Sequence, residues 1–98
     1  MIVSCKLRQT QFKISVLALI DNEAFVYAFI DKFFAQSHNL SCHQLIYSHR
    51  LREFDDQFAL IEDITYVVEI IMTLDDHIER LFLYVTELKQ YLIVMSLS

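Results

Sequence analysis

Short apolar segments separated by polar ones run along the first third of the chain. Residues 2–7 and 12–20 are mostly apolar and predict two strands, with the polar stretch Arg8-Gln9-Thr10-Gln11 as the turn between them. Residues 24–37 predict a helix, because apolar side chains recur there at helical spacing: Phe25, Phe29, Ile30, Phe33 and Phe34. We expect this face to belong to the core rather than to a ligand pocket.

The last third of the chain is dominated by β-branched and aliphatic residues. Residues 64–74 and 80–86 predict two strands of a hairpin around the polar turn Asp75-Asp76-His77. Residues 91–95 predict a final buried strand. The sequence therefore predicts a mainly-β fold (α+β at the margin) with one helix. The core is expected to include Leu19, Ile20, Phe29, Phe33, Val68, Ile70, Leu83, Val85 and Val94.

The middle of the chain is less regular. Residues 38–50 are polar and rich in histidine, which is typical of a loop. Residues 51–62 are compatible with a helix, but two short strands around Asp55-Asp56 fit the same pattern. Both this acidic pair and Asp75-Asp76 are expected in solvated turns.

Composition restricts the classes of protein to consider. The chain has 98 residues and 55% apolar side chains, which predicts one ordered domain over 1–98. The net charge of -5 and the scattered Lys and Arg residues predict no nucleic-acid partner. The apolar runs are far shorter than the roughly 20 residues of a membrane span, so no membrane partner is expected. Cys5 and Cys42 form no disulfide framework, so we expect an intracellular protein.

Glycine, proline and tryptophan are all absent from the sequence. Average usage of roughly 7% Gly and 5% Pro makes this absence unusual for a folded domain. Gly, Pro and Trp have GGN, CCN and TGG codons, which are strongly exposed to G-to-A and C-to-T change. A designed helical protein would also avoid Gly and Pro, but the many Phe, Ile, Tyr and His residues and the two cysteines fit that explanation poorly.

Two groups of polar residues are candidates for chemistry. Asp21, in the stretch Ala18-Leu19-Ile20-Asp21-Asn22-Glu23-Ala24, follows an apolar strand. It is a catalytic acid, the relic of a lost site, or a helix cap, a role that Asn22 could fill instead. The second group is His38, Cys42, His43 and His49. The spacing of this second group matches no zinc pattern, so we predict no metal site and no cofactor.

The ordered set of segments resembles the retropepsin-like aspartic protease domain of gypsy-type LTR retrotransposon polyproteins. That family has two apolar residues followed by Asp-Ser/Thr-Gly-Ala where this chain has Leu19-Ile20-Asp21-Asn22-Glu23-Ala24. The segment AFIDKFFAQSHNL resembles the family's following helix, and Phe54-Asp55-Asp56-Gln57 resembles an Asp-Gly-Gln stretch of its flap. The final IVMSLS resembles two apolar residues and Gly followed by Leu-Pro-Trp.

The departures from the family pattern share one direction. A G-to-A change converts the family's Ser to Asn22 and its Gly residues to Glu23, Asp56 and Ser96. A C-to-T change converts the family's Pro to Ser98. The resemblance therefore implies a degenerate copy, truncated where the family has Trp. Such a truncation predicts an uncovered strand over 92–95, an exposed apolar patch and a marginal or aggregating protein.

The resemblance also implies a function. The family's homodimer brings two Asp residues together, and the pair shares a proton while it cleaves a polyprotein substrate. Glu23 in place of Gly adds bulk and negative charge beside Asp21, and Asn22 replaces a hydroxyl donor. We therefore expect a retropepsin-like lobe without present peptidase activity. The alternative is a non-catalytic interaction module that retains the fold.

Overall fold

The amino-terminal part of the protein is an antiparallel hairpin. A computed structural model describes residues 1–10, 12–20, 28–50 and 63–95. Strand β1 (Ile2–Gln9) pairs with strand β2 (Phe12–Ile20), from Ile2 opposite Leu19 to Gln9 opposite Phe12. Both predicted strands are confirmed, and β1 is two residues longer than the pattern indicated.

The segment after residue 27 begins with a short strand instead of continuing as a helix. Strand β3 (Phe29–Asp31) runs directly into helix α1 (Lys32–Ser37). The predicted helix over 24–37 is therefore wrong for residues 29–31, which pair with two neighbouring strands. Backbone pairing inside a sheet overrides the helical spacing of the apolar side chains, because β3 is buried on both faces. Residues 24–27 lie outside the described part of the chain.

Three longer strands complete most of the sheet. Strand β4 (Cys42–Arg50) pairs with β5 (Asp63–Leu74). Strand β5 also forms a hairpin with β6 (His77–Thr86), in which Val67 lies opposite Tyr84 and Leu74 lies opposite His77. The predicted hairpin is confirmed, with Asp75-Asp76 as its exposed turn. The predicted loop over 38–50 is wrong from Cys42 onward, because β4 lies at the edge of the sheet formed by the described residues, where its polar side chains stay exposed to solvent.

The last strand, β7 (Ile93–Met95), is inserted into the middle of the sheet. It runs parallel to β2, with Ala18, Leu19 and Ile20 opposite its three residues, and antiparallel to β3 on its other side. All three residues of β7 are buried. The expectation of an uncovered edge strand over 92–95 is therefore wrong for β7, since strands cover both of its edges and side chains cover both of its faces.

The sheet closes on itself. The order of strands in the sheet is β1-β2-β7-β3-β6-β5-β4. The first half of β5 pairs with β4, and the second half of β5 pairs with Lys6 to Arg8 of β1, which closes the sheet. β3 and β6 are parallel, so the closed sheet is of mixed direction. The protein is mainly β, with one short helix in the described residues, as the sequence predicted.

The core fills the inside of this closed sheet. Its main cluster is Cys5, Leu7, Val16, Ala18, Ile20, Ile30, Phe34, Ala35, Leu40, Val68, Ile70, Met72, Leu83, Ile93 and Met95. A smaller cluster of Phe29, Leu88 and Val94 packs on the opposite face of β3 and β7.

Most of the predicted core residues are inside. Ile20, Phe29, Val68, Ile70, Leu83 and Val94 are buried, and Leu19 and Val85 are partly buried against the clusters. Phe33 is 56% exposed, so its predicted burial is wrong. The helix is only six residues long, and it turns Phe34 rather than Phe33 toward the core.

Candidate functional site

The carboxyl end of β2 leads directly to the predicted catalytic position. Ile20 is 2% exposed and lies beside Met95 of the central strand β7. The backbone N–H of Ile20 donates to the Met1 carbonyl at 2.7 Å, and the Met1 ammonium donates to the Ile20 carbonyl at 3.0 Å. β2 therefore keeps its backbone hydrogen bonds up to the residue before Asp21.

The predicted site residues themselves follow this strand. Asp21, Asn22, Glu23 and Ala24 lie outside the described residues, as does the acidic pair Asp55-Asp56. Catalysis by Asp21 and the effect of its neighbours therefore stay predictions. The described part fixes only the strand that precedes them and the strand, β3, that follows at residue 29.

A different carboxylate performs the capping that was predicted for Asp21 or Asn22. Asp31 is the N-cap of α1, and its Oδ2 accepts a hydrogen bond from the backbone N–H of Phe34 at 3.1 Å. Its Oδ1 accepts from the backbone N–H of Leu88 at 3.0 Å. Asp31 is 8% exposed, and both carboxylate oxygens are engaged. It therefore joins β3 and α1 to the segment after β6, and this is a structural role.

An open groove lies at the other end of β2. It has a volume of about 950 Å³ and is lined by Arg8, Gln9, Thr10, Phe12, His38, Asn39, Ser41, His43, Glu69, Ile70, Ile71 and Arg80. Phe12 and Ile20 are the two ends of β2. At about 3.3 Å per residue, the groove is roughly 25 Å from the predicted catalytic end of the strand. The groove and the end of β2 at Ile20 are therefore separate features.

The side-chain amide of Gln9 holds the groove together. Its Nε2 donates to the carbonyls of Ser41 at 3.2 Å and Glu69 at 2.9 Å, and its Oε1 accepts from the N–H of Ser41 at 3.0 Å. These bonds tie the end of β1 to β5 and to the residue before β4. Hydrogen bonds to backbone groups fix this wall without using the charged side chains around it.

Of the histidines that line the groove, His38 packs against aromatic rings. The His38 ring lies 5.3 Å from the Phe12 ring and 4.6 Å from the Phe34 ring, measured between centroids. His43 lines the groove, and the backbone of His49 belongs to β4. Within the described ranges, no group of three His, Cys, Asp or Glu side chains is arranged to hold a metal ion.

Both cysteines are free thiols with different exposure. Cys5 is buried in the core, whereas Cys42 is exposed and its Sγ donates to the Leu40 carbonyl at 3.4 Å. Burial raises the pKa of each thiol above its ordinary value. A raised pKa lowers the thiolate fraction at neutral pH and so disfavours a nucleophilic role.

Sheet register brings together cationic side chains that are dispersed in the sequence. Lys13 lies opposite Arg8, Arg8 lies opposite Ile71, and Ile71 lies opposite Arg80. Lys6 lies two positions before Arg8 on the same outward side of β1. We call Lys6, Arg8, Lys13 and Arg80 the cationic face. Sequence reasoning missed it, although strand alternation with a correct β1–β5 pairing would have revealed it.

Few carboxylates among the described residues lie near the cationic face. All four side chains are exposed. The carboxylate of Glu69, whose Oε1 lies 3.4 Å from Nε of Arg80, is the described negative charge beside this row. Lys6, Arg8 and Lys13 have no carboxylate partner among the described residues.

No protein-family model matches the chain, and no curated protein matches it. In the part of the chain that the structure describes, no helix combines the length and apolarity needed to cross a membrane.

Proposed function

We propose that this protein derives from a retropepsin-like aspartic endopeptidase domain and has lost peptidase activity. The observation that carries the proposal is the end of β2 at Ile20, one residue before Asp21, beside the inserted strand β7. An acid directly after a strand that is paired on both sides would be held near the rigid part of a fold, as catalysis by a paired carboxylate requires.

The order of elements also supports this ancestry. β2 precedes the Asp21 position, β3 and α1 follow it, β4 and the β5–β6 hairpin come next, and the apolar strand β7 is last. Apart from the additional strands β3 and β4, this is the order on which the resemblance to the family rests. The match is of arrangement, since every short motif in the sequence departs from the family's pattern.

Two residues with positive φ support the proposal that glycine codons were replaced by mutation. Asn39 has φ of 52° and Asp75 has φ of 51°, which is the left-handed region where Gly is the usual residue. Asp75 is the first residue of the two-residue β5–β6 turn, a place where Gly is common. A Gly codon becomes an Asp codon through one G-to-A change. The turn geometry therefore agrees with the proposed mutational history.

The chemistry of the altered motif explains the proposed loss of activity. An aspartic dyad works because two carboxyl groups share one proton and jointly activate a water molecule. In a homodimer, Glu23 from each chain would add two further carboxylates near the pair of Asp21 residues. Their repulsion would raise the carboxyl pKa values and oppose closure of the dimer.

A surface near the end of β2 fits the proposed ancestral homodimer. Met1, Ile2 and Leu17 are 70%, 54% and 61% exposed, although all three are large apolar residues. Ile2 lies opposite Leu19, two positions along β2 from Leu17. An apolar surface beside the ancestral site is what a symmetric partner would cover.

A peptidase assay tests the proposal. The purified chain should not cleave a mixed peptide library at acidic pH, and pepstatin should change nothing. The matched variant Asp21→Asn should give the same background rate. Pepstatin-sensitive cleavage that disappears in Asp21→Asn would support the ancestry but contradict the loss of activity.

Ancestry has its own independent test. The genomic DNA on both sides of this coding sequence should contain polyprotein sequence that becomes in-frame when C-to-T and G-to-A changes are reversed. Flanking DNA with an unrelated gene structure, in all copies of the locus, would argue against a transposon origin.

The second candidate is a non-catalytic interaction module. It is favoured by the state of the described core, in which no buried side-chain nitrogen or oxygen lacks a hydrogen-bond partner. Satisfied buried polar groups are typical of a well-formed scaffold, which an interaction module requires. A discrete binding partner with no peptidase activity would favour this function.

A further inference from the structure

We propose that the cationic face and the adjoining groove bind an acidic polypeptide segment in an extended conformation. The inference rests on the register of the sheet and does not depend on the proposed ancestry. It concerns the end of the molecule opposite Ile20, where β1, β5 and β6 lie side by side.

The spacing of the cations suits several carboxylates rather than one small anion. Neighbouring strands lie about 5 Å apart, so Lys13 and Arg8 are close neighbours, and Arg80 lies about 10 Å beyond Arg8 across Ile71. This row, about 15 Å long, is wider than a single phosphate or carboxylate. Three alternate residues of an extended peptide project to the same side over about 14 Å, which is close to the length of the row.

Exposed apolar side chains indicate a polypeptide partner. Ile78 and Phe82 are 65% and 57% exposed, and they flank Arg80 at the two neighbouring outward positions of β6. Ile71 lies between Arg8 and Arg80 in the row. An extended peptide that alternates acidic and aliphatic residues would pair carboxylates with the cations and cover these apolar groups.

The charge distribution favours a short acidic segment over a nucleic acid. The whole chain carries a net charge of -5, so a long polyanion is repelled outside the cationic face. Glu69 also lines the groove, and it pairs with Arg80. Arg8 and Lys13, which have no described carboxylate partner, are therefore the two cations most available to a ligand.

Fluorescence anisotropy with two labelled peptides tests the proposal. One peptide alternates glutamate with leucine, and the other has glutamine in place of each glutamate. The glutamate peptide should bind roughly tenfold more tightly than the glutamine peptide. Raising NaCl from about 0.05 to about 0.5 M should weaken binding of the glutamate peptide several-fold, because salt screens exposed charges.

Variants of the cationic face locate the binding site. Arg8→Gln and Lys13→Gln should each weaken binding of the glutamate peptide about three- to tenfold. Lys32→Gln is the matched control, because Lys32 is exposed on α1 outside the cationic face and should leave binding unchanged. Circular dichroism establishes that each variant is folded. If one cation variant does not fold, the other variant and the salt dependence decide the result.

Three outcomes would overturn the proposal. The first is absence of binding to the glutamate peptide. The second is equal binding by the unmodified protein and by folded Arg8→Gln and Lys13→Gln. The third is binding of a labelled single-stranded oligonucleotide at least as tightly as the glutamate peptide, which would assign the face to nucleic acid instead.

Discussion

Asp31 shows how one residue joins parts of the chain that are distant in sequence. Its carboxylate accepts one N–H from the first turn of α1 and one from Leu88, 57 residues later. Hydrogen bonds to a charged acceptor are stronger than neutral ones, and a buried N–H that loses its acceptor is costly. Asp31 is therefore expected to matter for stability although it has no role in the proposed ancestral chemistry.

Substitution of Asp31 tests this role. Asp31→Ala should lower the free energy of unfolding by about 2–4 kcal/mol, from loss of the helix cap and of the acceptor for Leu88. Asp31→Ser should recover about 1 kcal/mol, because serine can cap α1 but cannot reach both N–H groups. Urea unfolding measures both values. Equal losses in the two variants would show that the cap contributes nothing.

Asp75 occupies a backbone conformation that favours glycine. The backbone of Asp75 has a φ of 51°. Asp75→Gly should therefore raise the free energy of unfolding by up to about 1 kcal/mol, because it removes the close contact between Cβ and the backbone. Its neighbour Asp76 has no positive φ, so Asp76→Gly should instead lower stability by about 0.5–1 kcal/mol through loss of chain entropy. Thermal unfolding distinguishes the two. A gain in Asp76→Gly alone would contradict the assignment of the turn.

Cys5 gives the stability a defined pH dependence. Burial raises its pKa in the folded state, so the unfolded chain loses the thiol proton at a lower pH than the folded chain does. The stabilisation is complete below the ordinary thiol pKa of about 8.5 and declines as pH rises above it. Urea unfolding between about pH 7 and 10 should show this decline, and Cys5→Ala should make it less steep. An unchanged slope would contradict a contribution from Cys5.

At the level of elements, β7 has the greatest effect relative to its length. Three residues fill the gap between β2 and β3 and bury side chains on both faces of the sheet. An inserted strand of this kind connects the end of the chain's described part to its first hairpin. The packing of β7 therefore controls the stability of the strand that leads to Asp21.

Truncation of side chains in and beside β7 measures this effect. Ile93→Ala should lower the free energy of unfolding by about 2–5 kcal/mol, because Ile93 is fully buried and the change leaves a cavity. Leu92→Ala should cost less than about 1.5 kcal/mol, since Leu92 is 39% exposed. Similar small losses for both would indicate that β7 does not pack between β2 and β3.

At the level of the whole molecule, the strands of the closed sheet differ in the number of neighbouring strands with which they pair. Within the described residues, β6 pairs with β5 from His77 to Tyr84 and with β3 from Tyr84 to Thr86, whereas β4 pairs with β5 alone. Paired amides of β6 should therefore exchange hydrogen mainly on global unfolding, and paired amides of β4 should exchange faster through local opening. Hydrogen-exchange mass spectrometry compares them. Equal protection of β4 and β6 would show that another part of the chain covers the β4 edge.

Folding also redistributes charge over the molecule. An acidic chain acquires one cationic face because four of its eight Lys and Arg residues converge on adjacent strands. In the sequence these residues are scattered and predicted no binding surface. Their convergence depends on the β1–β5 pairing, which joins residues more than 60 positions apart.

The sequence by itself determined the features that depend on local patterns. The β1–β2 and β5–β6 hairpins follow from apolar segments flanking short polar turns, because neighbouring strands pair with little loss of chain entropy. Only the tertiary structure decided the short strand β3, the edge strand β4, the insertion of β7 and the assembly of the cationic face. Each of these depends on which distant segment lies alongside. Sheet pairing of that kind overrides the helical spacing of residues 29–31 and the polarity of residues 42–46, since buried backbone groups must find hydrogen-bond partners wherever the fold supplies them.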